Sequence, residues 1–182
     1  RREPGARDVL LDIHYCGICH TDIHFARGQF AGVRFPLVPG HEIVGKVVRV
    51  GSAVRRHSVG DVVGVGCMID SCRTCAECRT GSEHFCDGRV GTYGATARDG
   101  QSPTQGGYST RITVDEDFVL RIPPQLDPAA TAPLLCAAGL IGAARPTTER
   151  QPKKISRKSS PPTTPFGWLT WAANQRPSSP TA

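Results

Sequence analysis

No stretch of these 182 residues approaches the roughly twenty consecutive apolar residues that a membrane-spanning helix needs. The first residues, Arg1-Arg2-Glu3-Pro4, also lack the apolar core of a secretory signal. These two absences predict a cytoplasmic protein whose thiols stay reduced. In that compartment eight cysteines point to metal binding and not to disulfides. Net charge is missing from most of the sequence as well. Residues 1–140 carry 15 basic and 15 acidic side chains, so the whole balance of +6 lies in residues 141–182, where seven basic residues accompany Glu149 alone. That tail lacks Cys and His entirely, whereas residues 1–140 lack Trp. It holds 7 of the 15 prolines and shows no sustained apolar periodicity. The division predicts a folded domain over 1–140 and a basic Pro/Ser/Thr-rich, disordered tail over 141–182. A basic arm suggests nucleic acid, with Lys153, Lys154, Arg157 and Lys158 as phosphate contacts. Without interleaved aromatics or a folded reader, the run reads better as solvated sequence.

The neutral part is patterned for strands. Val9–Tyr15, Glu42–Val50, Asp61–Val65, Tyr108–Val114 and Phe118–Ile122 each read as β-structure. Glycines at 40, 45, 51, 60, 64 and 66 suit the turns and bulges of a small antiparallel barrel. Cys19–Ala26 reads as a short helix. Asp127 and Pro128 read as the N-cap and first residue of a helix running to Leu140. Residues 71–107 have few apolar side chains and are too long for an ordinary loop, so something other than a core must organise them.

Two constellations carry the chemistry. Cys72, Cys75, Cys78 and Cys86 form C-x2-C-x2-C-x7-C, a set that closes around one tetrahedral Zn²⁺ as a structural site. A bacterial ferredoxin run would place three residues before its fourth Cys and a Pro after it. Here there are seven, and Asp87 follows. The second set is dispersed: Cys19 on the first helix, His41 before a strand, and Cys136 within the Ala-rich helix. Two thiolates and an imidazole are the donors of a catalytic zinc that keeps one position open. Thr21 and His24 are placed to carry a released proton away, and Asp22 to orient a ligand imidazole.

With these residues in view, the protein resembles the zinc-dependent medium-chain alcohol dehydrogenases, in the branch around cinnamyl alcohol dehydrogenase and the bacterial NADP-linked aldehyde reductases. The matching segments are GICHTDIH (17–24), PGHEIVGKV (39–47), VGDVVGVG (59–66), DSCRTCAECRTGSEHFC (70–86), DGQSPTQGGYST (99–110) and APLLCAAG (132–139). The resemblance implies a mainly β, chaperonin-10-like (GroES-like), partly open barrel with a structural zinc lobe. It implies two Zn²⁺ sites: Cys19, His41 and Cys136 with Glu42 beside them, and Cys72, Cys75, Cys78 and Cys86. It assigns the proton relay to Thr21 and His24, and places His20 near the phosphates of NADP(H). The implied substrate is a small alcohol or aldehyde, and dimers are expected only of full-length relatives. Cys16 and Cys67 remain as small buried hydrophobes. The family pattern persists to about Gly139 and then breaks. No strand–glycine-loop–helix follows, so the Rossmann domain is expected to be absent. A shifted reading frame is expected to have truncated the protein at its C-terminal end, leaving a fragment inactive alone.

Overall fold

The computed structural model describes residues 2–140. The tail expected over 141–182 lies outside the described residues. Among those described, no helix is long and apolar enough to cross a membrane.

Strands β1 (Asp8–Cys16), β2 (Ile43–Val50), β3 (Val62–Val65), β6 (Arg111–Asp115) and β7 (Leu120–Arg121) make one antiparallel sheet in the order β6-β1-β2-β3-β7. A second, two-stranded ribbon pairs β4 (Met68–Asp70) with β5 (Val90–Gly91). The β1–β2 register slips at Leu10/Leu11 and again at Ile13/Tyr15. Such bulges bend and twist a strand, which lets a small sheet curl around its own core. At the bend Gly45 packs directly on β1: a Cβ there would stand 2.3 Å from the Asp12 carbonyl oxygen.

Strand β2 explains how the sheet positions the site. Ile43 and Val47 join Val9, Leu11, Val63, Val65, Ile112 and Val114 in the main core. Val44 faces the other way, into a second cluster with Ile122, Ala132 and Leu135. A strand buried on both faces must be apolar at adjacent positions, and Ile43-Val44 is. Leu135 fits because Gly64 leaves the room: a Cβ at Gly64 would meet both Leu135 methyls at 2.9 Å. Seating Leu135 fixes the helix turn that carries Cys136.

Three expectations need correction. The helix expected from Asp127 to Leu140 is two helices, α3 (Pro128–Thr131) and α4 (Leu134–Leu140). Asp127 does cap the first by accepting the Ala129 N–H, but Pro133 brings no N–H to continue the ladder. The strand expected from Phe118 begins only at Leu120. Asp115 accepts the Asp117 N–H and draws Glu116–Phe118 into a 3₁₀ turn. The segment from Tyr108 enters the sheet only at Arg111.

Glu116 in that turn is buried and accepts the backbone N–H groups of Arg55 (2.9 Å) and Arg56 (3.0 Å). Burial alone would raise its carboxyl; the two N–H donors and the nearby Arg7 charge outweigh burial and hold it below the ordinary range. The group is therefore stabilising above its unfolded pKa near 4.5, and that contribution fades as pH falls through the lower folded value. Glu116→Gln is expected to lose about 1–3 kcal/mol at pH 7. The gap from wild type should narrow below about pH 4.5 in urea unfolding curves; a gap independent of pH would contradict this.

Candidate metal centres and catalytic site

The segment too poor in apolar residues to form a core is shaped by its cysteines. Helix α2 (Ala76–Arg79) starts at Cys75, whose Sγ accepts the Cys78 N–H. Cys72 Sγ accepts the N–H groups of Thr74 (3.5 Å) and Cys75 (3.3 Å), and Cys86 Sγ accepts that of Cys72 (3.4 Å). Those donors hold the Cys72 thiol down to about 5. The four Sγ atoms lie within 4.8 Å of one another, and Cys72 and Cys78 are 3.8 Å apart. A tetrahedron with bonds of about 2.3 Å has edges of about 3.8 Å. Both spacing and donor chemistry fit zinc.

Arg73 locks this lobe to the sheet. It adopts a left-handed backbone (φ 64°), and its guanidinium reaches Asp70 (3.1 Å), Asp115 (3.0 Å) and Asp117 (3.2 Å) while lying 5.6 Å from the Phe118 ring centroid.

The second set assembles from three distant parts of the sequence. Helix α1 (His20–Ala26) has Cys19 as its N-cap residue, and Asp22 accepts the Cys19 N–H at 2.9 Å. His41 and Glu42 occupy the entry to β2, and Cys136 lies on α4. One donor atom from each of Cys19, His41, Glu42 and Cys136 falls within a 4.8 Å span, with Cys19 and Cys136 Sγ 4.0 Å apart. His41 Nδ1 lies 3.3 Å from Asp22 Oδ1, which leaves Nε2 for a ligand. Burial raises the Glu42 carboxyl, with His41 opposing. Burial and the Cys67 and Cys19 thiols push Cys136 up to about 12. Among the described residues, buried Glu42 Oε2 has no hydrogen-bond partner. A pocket of anionic donors that resists being anionic, with one carboxylate oxygen orphaned, fits a cation at its centre.

The other expected residues divide. Thr21 Oγ1 lies 3.6 Å from Cys19 Sγ, at the site. His24 is exposed and bonds Gln29 Oε1 at 2.6 Å; among the described residues it makes no direct hydrogen bond to Thr21. His20 is exposed at the start of α1. Cys16 and Cys67 were expected as small buried hydrophobes and are half-buried, Cys16 packed against the main core. Cys67 Sγ sits 3.6 Å from the Cys136 carbonyl oxygen, against the site wall.

Residues 5–124 match the family described as the alcohol dehydrogenase GroES-like domain. The chain belongs to that family. It is 54% identical over 138 residues to aldehyde reductase YahK of Escherichia coli and 55% identical over 139 residues to NADP-dependent alcohol dehydrogenase C 1 of Mycolicibacterium smegmatis. Each match covers 75% of this chain and 40% of the relative. Among solved structures it is similar to a CAD of Helicobacter pylori complexed with NADP(H), with TM-score 0.73 and 44% identity over 76% of this chain and 40% of that one. The chain thus spans about 40% of the length of the curated relatives it matches. Its mainly β, GroES-like architecture agrees with the expectation from sequence.

Sequence reasoning missed two tyrosines. The Tyr93 ring lies 5.6 Å from the His41 ring, tilted by 31°, and Tyr108 Oη donates to Asp22 Oδ2 at 3.0 Å. The motif around Tyr108 signalled the family branch and nothing about the site.

Proposed function

We propose that this chain is the metal-binding catalytic half of an NADP-linked alcohol dehydrogenase that interconverts small alcohols and aldehydes. The observation that carries the reading is the convergence of Cys19, His41, Glu42 and Cys136 around one point, with Glu42 Oε2 unpartnered among the described residues. Cys19 Sγ, Cys136 Sγ and His41 Nε2 would hold a zinc ion. When bound, zinc supplies a Lewis acid that eases loss of an alcohol's hydroxyl proton. Glu42, whose carboxylate lies within the same 4.8 Å span, would be a further donor to that ion. The Thr21 hydroxyl beside Cys19 would accept the alcohol's proton as it releases its own to water, from which exposed His24, one turn along α1, would take it up and pass it to solvent. His20 stands ready for a cofactor phosphate. Cys72, Cys75, Cys78 and Cys86 would hold a second, structural zinc, for a total of two. NADP(H), when bound, would supply the nicotinamide that accepts the hydride. Eight thiols without a disulfide suit a reducing cytoplasm.

The four-cysteine lobe, a closed donor set with no open position, favours one rival, a zinc-binding module without catalysis. Cobalt substitution separates the two. A primary alcohol or aldehyde should shift the visible spectrum of the ion at Cys19, His41 and Cys136 and leave the ion of the four-cysteine lobe unchanged. A spectrum indifferent to every alcohol and aldehyde would leave the module reading.

A further inference from the structure

The segment Gln105-Gly106-Gly107-Tyr108 is tied along the residues that lead to His41. Gln105 Oε1 accepts the Val38 N–H at 2.6 Å. Gly106 N donates to Val38 O (2.6 Å), Gly107 N to Gly40 O (2.8 Å) and Tyr108 N to Pro39 O (3.0 Å). The approach leaves no room for side chains: a Cβ at Gly106 would stand 2.3 Å from Gly40 O, and one at Gly107 2.4 Å from Ile43 Cγ1. Tyr108 ends this strap with its ring against Gly40, where an added Cβ would meet Cδ1 at 3.0 Å.

From there the phenol reaches inward. Tyr108 Oη lies 3.0 Å from Asp22 Oδ2 and 3.3 Å from Gly17 O. One hydroxyl proton serves one acceptor, and a carboxylate outcompetes a carbonyl. Asp22 is 3% exposed and also accepts the N–H groups of Cys19 and Gly40. Its Oδ2 is thus held by Cys19 N and Tyr108 Oη, leaving Oδ1 facing Gly40 N and His41 Nδ1, while the Tyr93 hydroxyl also acts on the carboxylate from the His41 side.

We propose that Tyr108 is a positioning residue for His41: its hydroxyl orients the Asp22 carboxylate, and Asp22 keeps the proton of His41 on Nδ1, so that Nε2 is free. The consequence for metal rests on the reading of His41 as a ligand; the orientation itself does not. A partner beyond a metal's immediate ligands tunes affinity by fixing tautomer and ring orientation.

The test is Tyr108→Phe in the full-length protein, which keeps the ring on Gly40 and removes only the hydroxyl. Long-range ¹H–¹⁵N correlation of protein whose four-cysteine lobe alone is loaded with zinc should show His41 of the wild type as the Nδ1–H tautomer and that of the variant as a mixture. Asp22→Asn should disturb the tautomer at least as much. Cobalt titration should show about a tenfold loss of affinity at the Cys19–His41–Cys136 site in the variant, with the four-cysteine site unmoved. A wild-type His41 protonated on Nε2 overturns the proposal whether or not the variant folds, and so does a variant whose His41 stays wholly Nδ1–H. A changed tautomer with no cobalt bound near His41 in either protein supports the orientation and counts against the catalytic zinc alone.

Discussion

Cys78→Ser is expected to cost the protein more stability than any single substitution in its apolar core. Cys78 is 4% exposed, its Sγ lies 3.8 Å from Cys72 Sγ, and Ser71 Oγ is 3.3 Å away. Around it, residues 71–90 offer little besides Val90 to bury, so the lobe has no core to fall back on. Structural zinc contributes an apparent folding free energy of about 10–16 kcal/mol in small metal-folded peptides. Part of that is lost when one of four thiolates is replaced, because a weakly held ion no longer offsets the entropy of ordering some twenty residues. A core truncation such as Leu11→Ala costs about 2–5 kcal/mol by comparison. Limited proteolysis should cut the variant between residues 72 and 90 under conditions that leave wild type intact, and chelator treatment of wild type should reproduce the pattern. Arg73 makes the damage spread: with the lobe unfolded its guanidinium leaves Asp115 and Asp117, two acids at the end of β6 that then keep Arg7 and Arg56 as their cationic partners among the described residues. Unchanged protease resistance and thermal midpoint after complete metal removal would rule out a structural ion here.

How much of this was legible in the sequence follows from how local each signal is. The lobe cysteines fall within fifteen consecutive residues, so their spacing alone encodes a tetrahedral donor set. Cys19, His41 and Cys136 are scattered over more than a hundred residues, so only their donor chemistry grouped them and resemblance to a family then assigned them as ligands. The physical device that unites them is strand β2, buried on both faces, with Leu135 seated against Val44; apolar pattern shows such a strand but not its partners. Pro133 was visible in the sequence, and reading through it produced one helix in place of two. Tyr93 and Tyr108 could not have been found by pattern. Each acts through tertiary contact, one by its ring on His41 and one by its hydroxyl on Asp22, and neither residue type advertises a metal site.

Cys136→Ser and His41→Ala should each reduce bound zinc from about two ions per molecule to about one, with residues 72–90 still protected from protease. The two substitutions remove different things. His41 sits among Asp22, Tyr93 and Glu42, 4% exposed, so its loss also opens a cavity beneath β2 and deprives the Asp22 carboxylate of its imidazole neighbour. Cys136 is half-buried on α4, and replacing sulfur by oxygen changes little volume there. Cys136→Ser is therefore the cleaner probe: zinc content should fall while the thermal midpoint moves by only a few degrees. Cys67→Ser is the control from the same wall. Its Sγ touches the Cys136 carbonyl without belonging to the converging donor set, so the variant should keep about two ions. Equal zinc loss in Cys67→Ser and Cys136→Ser would mean that the thiols of this pocket act as a group and that the ligand assignment is wrong. Full retention of about two ions by both Cys136→Ser and His41→Ala would mean that neither residue is a ligand and that the second ion is held elsewhere.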